Sequence, residues 1–373
     1  MNCAFITGST GLLGVNIVRE LLHDTSARIV LLLRTVTVEK RTGLFRDLFA
    51  FNGDQTLDLF SFKRIEFVEG DVTLPNLGIE PAVWDRLTRE VDVIYHSAAV
   101  ITLSGAEAET QSVNVNGTRN ILDFAMACKK RGSLDRVMHV STVAVSGNRH
   151  GLIYENDLDM GQAFNNPYEK SKYAAEKIVG EYRDQGIPVT VVRPSMVIGS
   201  SRTGFTNNFN IFYFQLRLLA QGLLETIPLS EDATYNLVPA DLAARAICLI
   251  SYNQESRNRN YHIVNSQDVP VRPFFEKVSG YLGYTKPRFI STTDLNPAAL
   301  AGVRGKVLSI YYPYITARKS FDASNAQEIL QDCNFTWPTM HDASFTKILD
   351  YCIYSGYVRP GSEVAYEAGA YNA

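Results

Sequence analysis

Cys3-Ala-Phe-Ile-Thr7-Gly8-Ser9-Thr10-Gly11-Leu12-Leu13-Gly14 stands two residues from the start of the chain, and its reading decides the fold. The run Cys3 to Thr7 is short and mostly apolar, which predicts a buried strand. From Leu12 to Leu22 the apolar residues recur at helical spacing. Between the two, Gly8 permits a tight turn, Gly11 lets the backbone approach a pyrophosphate, and Gly14 lets the helix pack close to the sheet. The helix start offers unpaired N–H groups and a positive dipole end to phosphates. A tight turn without a ligand is the plainer reading, but a strand before and a helix behind are the context in which this spacing binds a dinucleotide. Gly8, Ser9, Thr10, Gly11, Leu12, Leu13 and Gly14 are therefore candidate cofactor residues.

Outward from this loop, apolar runs rich in β-branched residues recur at 28–33, 65–69, 91–96, 135–142 and 188–193. Helical stretches such as Thr110 to Cys128 and Tyr168 to Tyr182 alternate with them. Short, nearly all-apolar strands separated by helices predict a parallel sheet covered on both faces. The fold class is α/β, a Rossmann-type doubly wound sheet with its ligand site outside the carboxyl ends of the strands. After about residue 200 the alternation breaks. Tyr235 to Ile247 resembles a strand end leading into a helix, and Tyr261 to Asn265 one more strand. Residues 269–350 look mainly helical, interrupted by Pro287, Pro297, Pro313 and Pro338. The expected division is a dinucleotide domain over 1–200 with a return segment at 236–266. A smaller, mainly helical substrate lobe takes 201–235 and 267–360, and 361–373 is a tail.

A length of 373 residues suffices for a full core, and 46% hydrophobic with 20% charged residues is globular composition. A net charge of -3 argues against nucleic acid or an anionic membrane as partner. The five cysteines, Cys3, Cys128, Cys248, Cys333 and Cys352, are scattered without CxxC spacing. They predict neither a disulfide framework nor a metal site, and favour a reducing compartment. The first apolar run is too short for a leader, and no uncharged stretch reaches the ~18 residues of a membrane span. A cytoplasmic location is expected.

The second strand ends at Leu33-Arg34, where NAD-specific folds carry an acidic residue. An arginine there suits a 2′-phosphate, with Arg41 as a second charge, so NADPH is the expected cofactor. Asp71 and Val72 follow the third strand, where a carboxylate accepts from the adenine amino group. Ser97, Ala98 and Ala99 follow the fourth, where small side chains let the backbone lie against the cofactor. His96, inside a strand, reads as a hydrogen-bonded structural residue. Further on, Asn166-Pro-Tyr168-Glu-Lys-Ser-Lys172 opens a helix, and a tyrosine and lysine at i and i+4 share one face. The ammonium of Lys172 is expected to lower the Tyr168 pKa from its usual ~10. A strand ending in the hydroxyls of Ser141 and Thr142 precedes this pair.

The glycine loop, Asp71-Val72, Ser97-Ala-Ala99, Asn114-Val-Asn-Gly-Thr118, the hydroxyl-bearing strand end and Tyr168-xxx-Lys172 occur in the order of the extended short-chain dehydrogenases/reductases. The chain resembles that family over about 3–200, with weaker echoes to 265. The resemblance implies that the hydroxyl partner lies five residues before the glycine closing the strand-five loop, Gly147, which selects Thr142 over Ser141. Arg193-Pro-Ser195-Met-Val-Ile-Gly199 resembles the family's loop beside the nicotinamide. Asp71 to Ile79, Trp84, Val91 to Ala99, the long insertion between Arg34 and Arg64, and Ser320-Phe-Asp-Ala-Ser-Asn325 look like the thioester reductase and fatty acyl-CoA reductase branch.

The branch implies an NADPH-dependent oxidoreductase that reduces an acyl thioester, carried by a carrier protein or coenzyme A, to an aldehyde, with further reduction to the alcohol left open. Thr142, Tyr168 and Lys172 would be its catalytic residues, with Lys172 also contacting the nicotinamide ribose. Other activities stay open: a ketone or hydroxysteroid-type reductase, a sugar-nucleotide epimerase or dehydratase, or a non-catalytic NADP-sensing regulator. Arg34 counts against the epimerases, and the intact tyrosine–lysine pair against the regulator. Monomer and homodimer both remain open. The aromatic run Phe205 to Phe214 could line an apolar acyl channel with the Tyr311-Tyr-Pro-Tyr314 cluster nearby, but such aromatics read more plainly as core and are left out of the site.

Overall fold

The computed structural model describes residues 1–34, 45, 63–101, 107–132, 134–294, 312–316, 318–339 and 342–361. Arg41, the 35–62 insertion apart from Phe45, Pro297, Tyr311 and the tail from 362 lie outside the described residues. Seven strands form the central sheet: β1 (Cys3–Thr7), β2 (Arg28–Leu33), β3 (Ile65–Glu69), β4 (Val93–His96), β5 (Arg136–Val140), β6 (Val189–Pro194) and β7 (Asn260–Ile263). Their order is β7-β6-β5-β4-β1-β2-β3, and every pairing is parallel. The run at 135–142 is shortened to 136–140 because the chain past Val140 turns to carry Ser141 and Thr142 into a 3-10 turn.

Side chains alternate across the sheet, and each face has its own helices. Ala4, Ile6, Ile29 and Leu31 pack under α1 (Leu12–Asp24) and α6 (Ala240–Tyr252), while Phe5, Val30, Leu32 and Ile94 pack against α2 (Pro81–Glu90), α3 (Gly117–Lys130) and α4 (Pro167–Asp184). This is the doubly wound arrangement expected from the alternation of strands and helices. The chain reverses direction across the sheet between β1 and β4, so the crevice of a switch point opens above Thr7.

A third core joins α5 (Ile211–Ala220), α7 (Val271–Leu282) and α9 (Asp342–Tyr354). Phe205, Phe212 and Tyr213 are buried, as core aromatics should be. Short ladders accompany these helices, with Arg288–Ser291 on Thr226–Leu229 and Thr234–Tyr235 on Val269–Pro270. Helix α8 (Ser324–Asp332) packs elsewhere: Ala326, Ile329 and Leu330 lie in the core under the sheet. Just before it, Lys319–Phe321 pairs with Gly151–Ile153. Among the described residues no helix is long and apolar enough to cross a membrane, and no group of three metal-ligating side chains is found. Cys3, Cys128, Cys248 and Cys352 are buried thiols, and Cys333 is an exposed one.

Candidate active site

The glycine loop is built by close approach of backbone to backbone. Gly8 has φ +69°, and a Cβ on it would stand 2.5 Å from the Ala98 nitrogen. A Cβ on Gly14 would stand 2.1 Å from the Gly8 carbonyl oxygen, so α1 can start this close to β1 only with glycine there. Gly11 N donates to the Gly8 carbonyl at 3.0 Å and serves as N-cap of α1 without any side-chain cap. The first amides of a 13-residue helix are thus left for another acceptor. Thr10 and Gly11 are exposed, Leu12 is buried and Leu13 half-buried. The Ser9 hydroxyl is fully buried and has no hydrogen-bond partner among the described residues. A cradle that side chains would fill, an uncapped helix end and an orphaned hydroxyl fit the pyrophosphate of a dinucleotide.

The neighbouring strand ends surround this loop. Arg34 is exposed immediately after β2, and β3 ends beside it at Glu69, which pairs with Leu33. Asp71 Oδ1 accepts from the Thr73 nitrogen and hydroxyl, each at 2.8 Å, which fixes the carboxylate. Val72 is buried and its carbonyl accepts from Asn120 at 2.7 Å. Ser97, Ala98 and Ala99 are half-buried; Ser97 N donates to the Thr7 carbonyl and Ala98 N to the Thr7 hydroxyl. His96 pairs with Thr7 at Nδ1 (2.8 Å) and with Thr118 at Nε2 (3.1 Å), and burial holds its pKa down to about 3. It is a neutral structural residue.

At β5 and α4 the geometry rests on side chains. Asn166 caps α4 by accepting from Glu169 N at 3.0 Å, and Pro167 occupies the first helical position. Tyr168 and Lys172 follow one turn apart. Lys172 is buried, donates to the Val140 carbonyl at 2.8 Å, and has its pKa lowered to about 8 by burial, against the opposing pull of Glu176. Thr142 caps the turn Val143–Ser146 by accepting from Ala144 N at 3.2 Å. Its hydroxyl is the side-chain neighbour that draws the Tyr168 pKa down. Ser141 instead donates to Glu176, which pairs with the buried Arg193 at 2.7 Å. Of the two hydroxyls at the strand end, Ser141 is engaged by Glu176, and Thr142 is the one that acts on the tyrosine.

One expectation is corrected. Burial pushes the Tyr168 pKa up to about 12, with Thr142 lowering it and Glu169 raising it, and no lowering by Lys172 is seen. Desolvation of the phenolate outweighs the other effects.

Four residues beyond the sequence reading belong to the site's surroundings. Asn114 lies in a π-helical segment, Gln111–Asn116, of the kind often found at functional sites. Its amide exchanges hydrogen bonds with both backbone groups of Val100 and donates to Ser171. Its place in the Asn114-Val-Asn-Gly motif was the available signal. Asn207, from the segment before α5, donates to the Thr10 carbonyl at 2.8 Å. Tyr314 donates to Glu169 and Lys319 to Gly147. Tyr314 belongs to the aromatic cluster read as core, and no local pattern in the sequence marks Asn207 or Lys319.

The NAD-binding family described as male sterility protein matches residues 6–247. The chain belongs to this family. It is 27% identical over 383 aligned residues to a linear gramicidin synthase of Brevibacillus parabrevis, covering 95% of this chain and 7% of that protein. It is 26% identical over 369 residues to L-2-aminoadipate reductase of Schizosaccharomyces pombe, covering 92% of this chain and 25% of that protein. The chain therefore spans a small part of the length of these relatives. The crystal structure of the terminal R domain of the myxalamid biosynthetic pathway superposes with a TM-score of 0.81 at 26% identity, covering 97% of this chain and 93% of that one.

Proposed function

We propose that this family member is an NADPH-dependent reductase that converts an acyl thioester to an aldehyde. The observation that carries the reading is the convergence of Thr142, at the end of β5, with Tyr168 and Lys172, one turn apart on α4. Likeness to a terminal reductase domain over almost the whole of both chains supports the thioester as substrate. Gly8 to Gly14 would hold the pyrophosphate, Asp71 and Val72 the adenine, Ser97 to Ala99 the nicotinamide side, and Lys172 its ribose. Arg34, exposed at the end of β2, would meet the 2′-phosphate and favour NADPH over NADH. The sheet over 1–200 with 236–266, joined by α8, would form the cofactor half, and 201–235 with α7 and α9 the acyl half. The acyl group would arrive on a carrier protein or coenzyme A in the cytoplasm.

Bound there, the reduced nicotinamide supplies hydride to the thioester carbonyl carbon. Thr142 and Tyr168 donate to the oxygen as it becomes an oxyanion, where fixed donors contribute most. Tyr168 gives its proton, and a pKa of about 12 keeps that proton in place throughout the neutral range. The hemithioacetal then loses its thiol, so thioester, NADPH and one proton become aldehyde, free thiol and NADP. Lys172, charged below pH 8, donates to the Val140 carbonyl that precedes the Ser141-Thr142 turn and would hold the ribose.

The test offers long-chain acyl-CoA and a pantetheine-carrier acyl thioester in turn, follows NADPH absorbance and traps aldehyde. Aldehyde formed in step with NADPH loss is the expected result. Consumption of neither thioester, with a ketone or sugar nucleotide reduced instead, would overturn the substrate assignment.

A further inference from the structure

Glu169 follows the tyrosine directly, and its carboxylate is almost fully buried. A buried charge there opposes ionisation of Tyr168 and is costly to desolvate, so its presence calls for partners. It has them from two directions. One oxygen accepts from Asn165 N at 2.9 Å, closing the helix start as a capping box does. The other accepts from the Tyr314 hydroxyl at 2.8 Å, and that hydroxyl in turn accepts from Asn166 Nδ2 at 2.7 Å. Asn166, Tyr314 and Glu169 thus form a closed ring around the first turn of α4, and Tyr314 comes from 145 residues away.

Five residues after Tyr314, Lys319 reaches the other half of the site. Its ammonium donates to the Gly147 carbonyl and to the Ser146 hydroxyl at 3.3 Å, at the end of the turn that Thr142 caps. Gly147 has φ +56°, and a Cβ on it would stand 2.2 Å from the Ala163 carbonyl, so this turn is already packed against the approach to α4. Parallel pairing of Lys319–Phe321 with Gly151–Ile153 fixes where the lysine sits.

We propose that Tyr314 and Lys319 are positioning residues, one for each hydroxyl of the oxyanion site. Tyr314 sets the first turn of α4 and hence Tyr168; Lys319 sets the 143–147 turn and hence Thr142. The segment 312–321, whose Ile315 lies in the third core, thereby fixes the spacing of a donor pair that belongs to the Rossmann sheet. Only the kinetic part of the test rests on the thioester-reductase reading.

Tyr314→Phe keeps the ring in place and removes one hydroxyl, and Lys319→Met keeps the stem and removes the ammonium. Each is expected to lower kcat about tenfold with KM for NADPH unchanged, since small displacements of reacting groups act on turnover. Hydrogen exchange supplies the second readout. Tyr314→Phe should speed exchange of the Asn165 and Glu169 amides and leave Gly147 alone, and Lys319→Met should do the reverse. Unchanged exchange at these amides overturns the proposal, as does a rise in KM for NADPH with kcat intact. If the unaltered protein reduces no thioester, the functional reading fails, and the exchange pattern still decides the clamp.

Discussion

At the ends of β1 and β4 the site is made of backbone: Gly8 against Ala98, Gly14 against Gly8, and amides left open at the start of α1. At the ends of β5 and α4 it is made of side chains. Thr142, Tyr168 and Lys172 are held by a carbonyl, a capping residue and a ring that draws on Tyr314. The first edge is rigid because glycine leaves no room for anything else, and its proposed task is to bind. The second is adjustable through its partners, and its proposed task is to place a proton. A single turn with three glycines builds the former, whereas the latter needs residues up to 173 positions apart.

The sharpest division between the two edges is Tyr168→Phe. It should reduce turnover by about 10²–10⁴-fold, the usual worth of a positioned acid, while fluorescence titration finds NADPH binding unaltered. A parallel loss of NADPH affinity would merge the two edges into one. Gly14→Ala attacks the other side. Its Cβ meets backbone at 2.1 Å, so the helix must move, at about 1–3 kcal/mol. Both Tm and NADPH affinity should fall. Gly180→Ala, inside α4 with open space around its Cβ, serves as the contrast and should stabilise by up to about 1 kcal/mol.

The pH profile separates the edges a third way. Burial lowers Lys172 to about 8, so its charge is complete below that pH and is lost as pH rises through it. Tyr168, at about 12, stays protonated across the same range. Turnover should therefore show one alkaline limb near pH 8, falling about tenfold per unit beyond it. NADPH affinity should follow it only as far as Lys172 holds the ribose. A flat profile to pH 10 would remove the lysine from the mechanism. Arg34→Ala is expected to act on the cofactor edge alone, narrowing the preference for NADPH over NADH by about tenfold, the scale of a charged hydrogen bond. Equal rates with both cofactors in the unaltered protein would deny Arg34 that role.

The same contrast explains what the sequence disclosed. Periodicity located every strand of the sheet, since strands buried on both faces are nearly all apolar. The glycine spacing located the loop because its requirement is local. Choosing Thr142 over Ser141 took a family resemblance; the physical reason, a buried Glu176–Arg193 pair that claims Ser141, lies in residues 35 and more positions away. The pKa of Tyr168 escapes the sequence because spacing shows that Lys172 shares its face, not that burial of the phenol outweighs its neighbours. Helix α8 was also beyond reach, since nothing in its amphipathic pattern says which core it joins.

Asn207 is where the two regions meet on the cofactor side. It stands before α5, in the part of the chain that builds the third core, and donates to the Thr10 carbonyl in the exposed tip of the glycine loop. One neutral, solvent-accessible hydrogen bond contributes about 0.5–1.5 kcal/mol. Asn207→Ala should therefore weaken NADPH binding only about threefold and leave kcat unchanged, because the loop is shaped by its glycines and merely steadied by this contact. If kcat drops while affinity holds, the segment before α5 acts on the reacting centre rather than on the loop. The backbone-built edge would then be as dependent on distant residues as the side-chain-built one, and the division between them would not stand.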